Sequence, residues 1–286
     1  VVADLHLHSC FSDGTYTPEE IATRARHAGL AALALTDHDS VDGCARARAA
    51  CEAAGIEFIP GTELTAEFAG HELHMLGYLI DVENAQLLAA LERFQLVRQQ
   101  RIRDMVSRLN ALQVPIRAES VFALANCRSP GRPHVGRVLV QAGVCSSVDE
   151  AFERFLKKHR PAYVPKHKMS ALEAIALIQQ AGGLAVLAHP GISHNDSVIA
   201  PLAEAGLDGL ECFHTKHSTA MVEHYLELAD RHQLLVTGGS DCHGMNKGQP
   251  LIGTIRLPYT HVEELKARAA SRRRAAAAPA PADDRE

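Results

Sequence analysis

Short apolar runs alternate along the chain with longer amphipathic stretches, and the two periods separate well. Residues 1–8, 33–36, 57–64, 71–79, 184–188, 209–213 and 234–238 are brief and apolar and predict strands. Residues 18–28, the stretch after Ser40, and residues 171–180, 220–232 and 261–270 predict helices. Thr17-Pro18-Glu19-Glu20 supplies a cap, a first-turn proline and acidic residues where a helix N-terminus favours them. Such alternation predicts βα units with parallel strands and an α/β fold of barrel type. Between residues 84 and 166 it stops. There the pattern predicts a long helix to about Leu112 and shorter ones near Glu119, Pro133 and Ser147, a helical subdomain inserted into a barrel of residues 1–83 and 167–270. Residues 271–286, with Arg272-Arg273-Arg274 followed by Ala and Pro, have no apolar period to bury and predict a disordered tail.

Composition narrows the class. With 286 residues, 47% hydrophobic and 22% charged, the chain can bury one large core. No apolar run approaches the roughly 18–20 residues of a spanning helix, and the start lacks a signal-peptide pattern, so a cytoplasmic location and no membrane partner are expected. Seven cysteines without a repeated short spacing argue against a disulfide framework or a Cys-rich zinc ribbon. A formal charge of −5 disfavours stable binding of duplex nucleic acid through a broad basic face. The exceptional number is 17 histidines, about three times ordinary usage.

Their positions carry the chemistry. Asp4-Leu5-His6-Leu7-His8 closes the first strand, and side chains two apart on a strand share a face, so His6 and His8 can reach one cation together. Comparable residues recur at later strand ends: Thr36-Asp37-His38-Asp39, Gly61-Thr62-Glu63, His71 to His74, Ala188-His189-Pro190, and Ser240-Asp241-Cys242-His243. A single such residue is usually a satisfied core histidine or a cap, and Asp39, preceding a helix, is read mainly as a cap. Repetition at six strand ends is hard to explain by packing, since each would bury an unpaired polar group.

In these motifs the chain resembles the polymerase and histidinol phosphatase (PHP) superfamily, and within it the stand-alone phosphoesterases related to nucleoside 3′,5′-bisphosphate phosphatases. The resemblance rests on His6/His8 with Asp13 in Cys10-Phe11-Ser12-Asp13-Gly14, on Thr36-Asp37-His38, on Ala188-His189-Pro190 and on Ser240-Asp241-Cys242-His243, and spans nearly the whole chain. It implies a distorted (β/α)7 barrel with two to three divalent cations at its C-terminal mouth. By the same resemblance, His6, His8, Glu63 and Asp241 hold one ion, Glu63 bridges to a second bound by His74 and His189, and Asp13, His38 and His243 hold a third. His71 stands close enough to His74 to replace it if the register shifts.

Mixed imidazole and carboxylate donors suit manganese, zinc or iron. Manganese is favoured by the resemblance. Three divalent ions against Asp13, Glu63 and Asp241 would leave a local charge of roughly +3, enough to attract phosphate to an acidic chain. His194, shortly after the His189 strand end, is a candidate proton donor to the leaving alkoxide, or equally a loop residue. In the helical part, Arg128-Ser129-Pro130-Gly131-Arg132-Pro133-His134 passes from a loop into a helix, where arginines and helix N-termini favour phosphate. Arg132 and His134 are therefore candidate substrate-binding residues, with Arg98 and Arg101 from the long helix. Lys166, His167 and Lys168 could also face the pocket. The expected enzyme is a phosphoric monoester hydrolase that removes the 3′-phosphate of a nucleoside 3′,5′-bisphosphate. Its close rival is a 5′-to-3′ exoribonuclease on short 5′-phosphorylated oligonucleotides. Histidinol phosphatase and a non-catalytic polymerase-type module rank lower.

Overall fold

The computed structural model describes residues 1–166, 168–193, 195–247 and 249–277. Its strands are β1 (Val2–Leu7), β2 (Ala32–Leu35), β3 (Glu57–Phe68), β4 (His71–Tyr78), β5 (Met169–Ser170), β6 (Leu184–Leu187), β7 (Gly209–His214), β8 (Leu235–Gly239) and β9 (Leu257–Pro258). The α-helices are α1 (Pro18–His27), α2 (Cys44–Ala54), α3 (Ala85–Ala111), α4 (Ala118–Ala125), α5 (Arg132–Gln141), α6 (Val148–Ala151), α7 (Ala171–Gln180), α8 (Pro190–Ser193), α9 (Ile199–Glu204), α10 (Thr219–Arg231) and α11 (Thr260–Ala277), and a π turn (Phe152–Leu156) follows α6.

Local chemistry sets the boundaries. Thr17 and Glu20 form a reciprocal capping box at α1, and Ser170 with Glu173 repeats it at α7, each satisfying backbone N–H groups that a helix start leaves without partners. β2 and β6 are buried throughout, as strands covered on both faces must be.

The sheet curls into a nearly closed barrel. β1, β2 and β3 pair in parallel, as do β6, β7 and β8. Between these sets the expected βα repeat is broken, because β3 turns back into β4, which pairs antiparallel with both β3 and β6. A two-residue turn makes this possible: Ala69 and Gly70 both take positive φ, the conformation that matches hairpin twist. Closure comes where the segment after β8 meets β1, with the His8 N–H donating to the Cys242 carbonyl at 3.0 Å and the Asp241 N–H to the His6 carbonyl at 2.9 Å. Gly239 permits that approach, since a Cβ there would lie 2.3 Å from the His6 backbone nitrogen.

The helices from α3 to the π turn have a separate apolar core around Ile102, Met105, Leu109, Val121, Val135, Leu139, Phe155 and Leu156. α3 joins it to the barrel, because Leu87 and Leu91 pack in the barrel core with Leu187 and Ile178. The loop before α5 is pinned over the strand ends, where Ser129 Oγ donates to the His38 carbonyl at 2.6 Å. One expectation is corrected: α11 continues past Ser271 to Ala277, held by Arg272, whose guanidinium donates to Asp208 at 2.8 Å. Residues 278–286 lie outside the described residues. No helix among the described residues is long and apolar enough to cross a membrane.

Candidate metal centre

The alternation of β1 sends His6 and His8 to one side, both fully buried, with their Nε2 atoms 3.1 Å apart. Asp241, from the loop after β8, brings Oδ1 to 3.2 Å from His8 Nε2 and 3.5 Å from His6 Nε2. Glu63 stands in the middle of the mouth. Its Oε2 lies 3.3 Å from His8 Nε2 and 2.9 Å from His38 Nδ1, while Oε1 lies 2.7 Å from His74 Nδ1 and 3.2 Å from His189 Nε2. On the far side Asp13 Oδ1 is 3.3 Å from His243 Nε2 and 3.8 Å from His38 Nε2. The structure thus draws all nine residues named from the sequence into one cluster. It also fixes the register, since His74 faces Glu63 whereas His71 is exposed at the hairpin tip, paired with Phe68.

Three sets of donor atoms lie close enough together to hold a cation: His6, His8 and Asp241; His6, Glu63 and His189; and His8, Asp13, His38 and His243. Asp13 Oδ1, His38 Nδ1 and Glu63 Oε2 are buried and have no hydrogen-bond partner among the described residues. Short separations without hydrogen-bond geometry are what ligands converging on a shared ion present, so the residues fit divalent cations.

Electrostatics agree. Burial would raise the Asp13 carboxyl, yet the imidazoles of His243, His38 and His8 hold it far below the usual carboxylate range. Glu63 is likewise held down against burial by His74, His38 and His6, and Asp241 by His243 and His6. Burial depresses His8, but Asp241 and Glu63 outweigh it and lift the imidazole to about 9, whereas at His74 burial prevails and the value falls to about 4. The carboxylates are ionised and demand positive charge.

Three mouth residues, Asp39, His189 and Asp241, adopt left-handed φ of 47°, 28° and 52°. Strained backbone of this kind persists where the surroundings fix it, and it clusters at functional sites.

Two residues of the cluster went unmarked in the sequence. Glu211 Oε1 accepts from His6 Nδ1 at 2.9 Å and Oε2 from the His189 N–H at 2.8 Å. His214 Nε2 lies 3.7 Å from Asp241 Oδ2, while its Nδ1 accepts from the Lys216 N–H. Glu211 and His214 are three apart and would point to opposite faces of a regular strand. An irregularity in the register of β7 between Glu211 and Phe213 brings both inside. The available signal was Glu211, a carboxylate within the otherwise apolar run from Gly209 to Phe213.

The cluster opens into a cavity of about 740 Å³ whose wall includes Arg98, Arg101, Arg132 and Lys166. Arg98 is engaged by Asp39, Nε to Oδ2 at 2.6 Å, so Asp39 is an ion-pair partner rather than the cap expected; α2 has Gly43 at its N-cap. Arg101 donates Nε to the Val164 carbonyl and leaves Nη2 buried, with no partner among the described residues. Burial, with Arg132 and Arg98 nearby, lowers its guanidinium to about 10. Arg132 sits over Phe152 and Tyr163 and reaches the Leu156 carbonyl. Lys166 pairs with Glu72 at 3.4 Å. His134 does not line the cavity. It is buried behind it, and its Nδ1 accepts from the Gly131 N–H at the start of α5. His167 and the candidate proton donor His194 lie outside the described residues.

The sequence profile of the PHP domain family matches residues 4–157. A 3′,5′-nucleoside bisphosphate phosphatase of Chromobacterium violaceum is 34% identical over 92% of either chain. A 5′-3′ exoribonuclease of Escherichia coli is 33% identical over 85% of each. Among solved structures, a metal-dependent phosphoesterase of Bifidobacterium adolescentis superposes with a TM-score of 0.87 at 35% identity, covering 93% of this chain and 96% of its own.

Proposed function

This chain belongs to the PHP domain family and is a metal-dependent phosphoesterase, and from that premise we propose that it hydrolyses the 3′-phosphate of nucleoside 3′,5′-bisphosphates. The observation that carries the reading is one cavity with two places suited to a phosphate: the histidine and carboxylate cluster once it holds divalent cations, and a wall with the buried Nη2 of Arg101, which has no partner among the described residues. A substrate with two separated phosphates satisfies both.

In this reading His6, His8, Glu63 and Asp241 hold one divalent cation, Glu63, His74 and His189 a second, and Asp13, His38 and His243 a third. The mixed imidazole and carboxylate donors suit manganese, zinc or iron alike, and manganese is favoured by the family resemblance. Such cations, when bound, supply Lewis-acid stabilisation of phosphoryl charge and activation of water. Arg101 and Arg132, with Lys166, bind the phosphate that is not cleaved. Arg98 has the smaller part because Asp39 already neutralises it. His134 acts behind them by fixing the start of α5, which carries Arg132. His194, following the His189 strand end, is assigned the proton donated to the leaving alkoxide.

The similarity to the Escherichia coli exoribonuclease favours a second reading, removal of nucleotides from short 5′-phosphorylated oligonucleotides. One assay separates them: chelator-stripped protein with added manganese, offered adenosine 3′,5′-bisphosphate and a 5′-phosphorylated dinucleotide side by side. Metal-dependent release of phosphate and adenosine 5′-monophosphate from the first is the expected outcome; a clear preference for the dinucleotide transfers the function to the second reading.

A further inference from the structure

The imidazole of His6 is held from both ends. Nε2 faces the cluster, 3.1 Å from His8 Nε2 and 3.5 Å from an oxygen of both Glu63 and Asp241. Nδ1 points the other way, at Glu211 Oε1, 2.9 Å distant. An ionised carboxylate only accepts, so the ring keeps its proton on Nδ1 and leaves the Nε2 lone pair directed at the cluster. The other oxygen of Glu211 accepts the His189 N–H, at a residue whose φ of 28° is strained and whose own Nε2 reaches Glu63 Oε1 at 3.2 Å. A single fully buried carboxylate therefore fixes the tautomer of one donor residue and the backbone of another. Glu211 belongs to none of the three donor sets, and both its oxygens are used by N–H groups.

We infer that Glu211 is a positioning residue of the metal centre, which sets the metal-binding tautomer of His6 and the strained placement of His189 without touching the cation itself. The inference rests on the metal-centre reading above. Carboxylates that orient ligating histidines in this way commonly change metal affinity by about 10–100-fold when removed.

The near-isosteric Glu211→Gln is the informative variant, because an amide has one accepting oxygen where two are required. With that oxygen on the His189 N–H, the amide NH2 meets His6 Nδ1 and moves the ring proton to Nε2, the atom facing the cluster. With it on His6, two donors oppose each other at His189. A residue that merely filled space would tolerate the exchange. Titration of metal-free protein with manganese(II), followed by calorimetry, is expected to show affinity falling about 10–100-fold in Glu211→Gln. Undiminished affinity in the variant overturns the positioning role and leaves the metal centre standing. Wild-type protein that takes up neither manganese nor zinc overturns the metal centre, and the positioning role with it. Should the variant fail to fold, the wild type decides through nitrogen-15 NMR of its zinc(II) form: His6 protonated on Nδ1 with zinc on Nε2 is expected, and zinc on Nδ1 refutes the inference.

Discussion

Glu63 illustrates how much one side chain can decide. Its two carboxylate oxygens face different partners, Oε2 toward His6, His8 and His38, Oε1 toward His74 and His189. Glu63→Gln keeps the shape and removes the charge, so the protein is expected to retain fewer manganese ions per chain after dialysis and to lose about 100-fold or more in kcat/KM. Mass spectrometry of bound metal beside a phosphate-release assay checks both. Arg101→Ala supplies the contrast: its guanidinium faces the same cavity without entering a donor set. Loss of a charge-assisted bond of about 1.5–3 kcal/mol predicts KM for the bisphosphate rising about 10–100-fold with metal content unchanged. Equal metal loss in both variants would contradict this division of roles. At this scale the donor residues were legible because histidines and carboxylates recur in short motifs on or just after the strands, and in β1 alternation puts His6 and His8 on one face. Glu211 and His214 were not, because the bulge in β7 that turns both inward depends on pairing with β8, which no local pattern records.

An element's start can be a pH-dependent device even when its sequence suggests a substrate contact. Arg132-Pro133-His134 opens α5, and the arginine does line the cavity, but His134 turns inward and serves as the acceptor for the Gly131 N–H. Burial, reinforced by Arg137, lowers its imidazole from 6.5 to about 4, with Asp13 opposing only in part. The folded state thus refuses a proton that the unfolded chain accepts, so stability is present above pH 6.5 and is lost as pH falls from 6.5 toward 4. At pH 5 the loss reaches about 2 kcal/mol, from roughly 1.4 kcal/mol per pH unit over the interval below 6.5. His134→Asn, which can accept the same N–H without titrating, is expected to show a smaller drop in urea-unfolding free energy between pH 7.5 and 5 than the wild type; an equal drop would remove His134 as the source. The helix itself was legible from its proline and apolar period. The direction of His134 was not, since it depends on the core that α5 shares with α3 and the π turn.

The barrel separates its chemistry from the contacts that hold it closed. Donor residues gather at the C-terminal ends of the strands, while at the opposite end α11 is tied down by an ion pair: Arg272 donates to Asp208, the residue before β7, and to the Gly183 carbonyl before β6. Asp208 is almost wholly buried and also accepts the Ala185 N–H at 2.9 Å, so it links two neighbouring strands to the last helix. Apolar periodicity does not register such an anchor, which is why the run Arg272-Arg273-Arg274 read as a disordered tail, whereas the barrel's longer strands, being periodic, were legible apart from the reversal of β4, and the two-residue strands β5 and β9 were too short to show a period. The energetic consequence is one-sided. Arg272 is partly exposed and contributes little as a surface charge, but its removal leaves the Asp208 carboxylate buried with neutral donors only. Arg272→Ala should therefore cost about 1–2 kcal/mol, a fall of roughly 3–6 °C in Tm for a chain of this size. Because the anchor lies at the far end from the donor cluster, kcat and manganese content should match the wild type at a temperature where both remain folded. A variant that instead lost activity or metal without losing Tm would show that the two ends of the barrel are coupled, and that α11 belongs to the machinery rather than to its support.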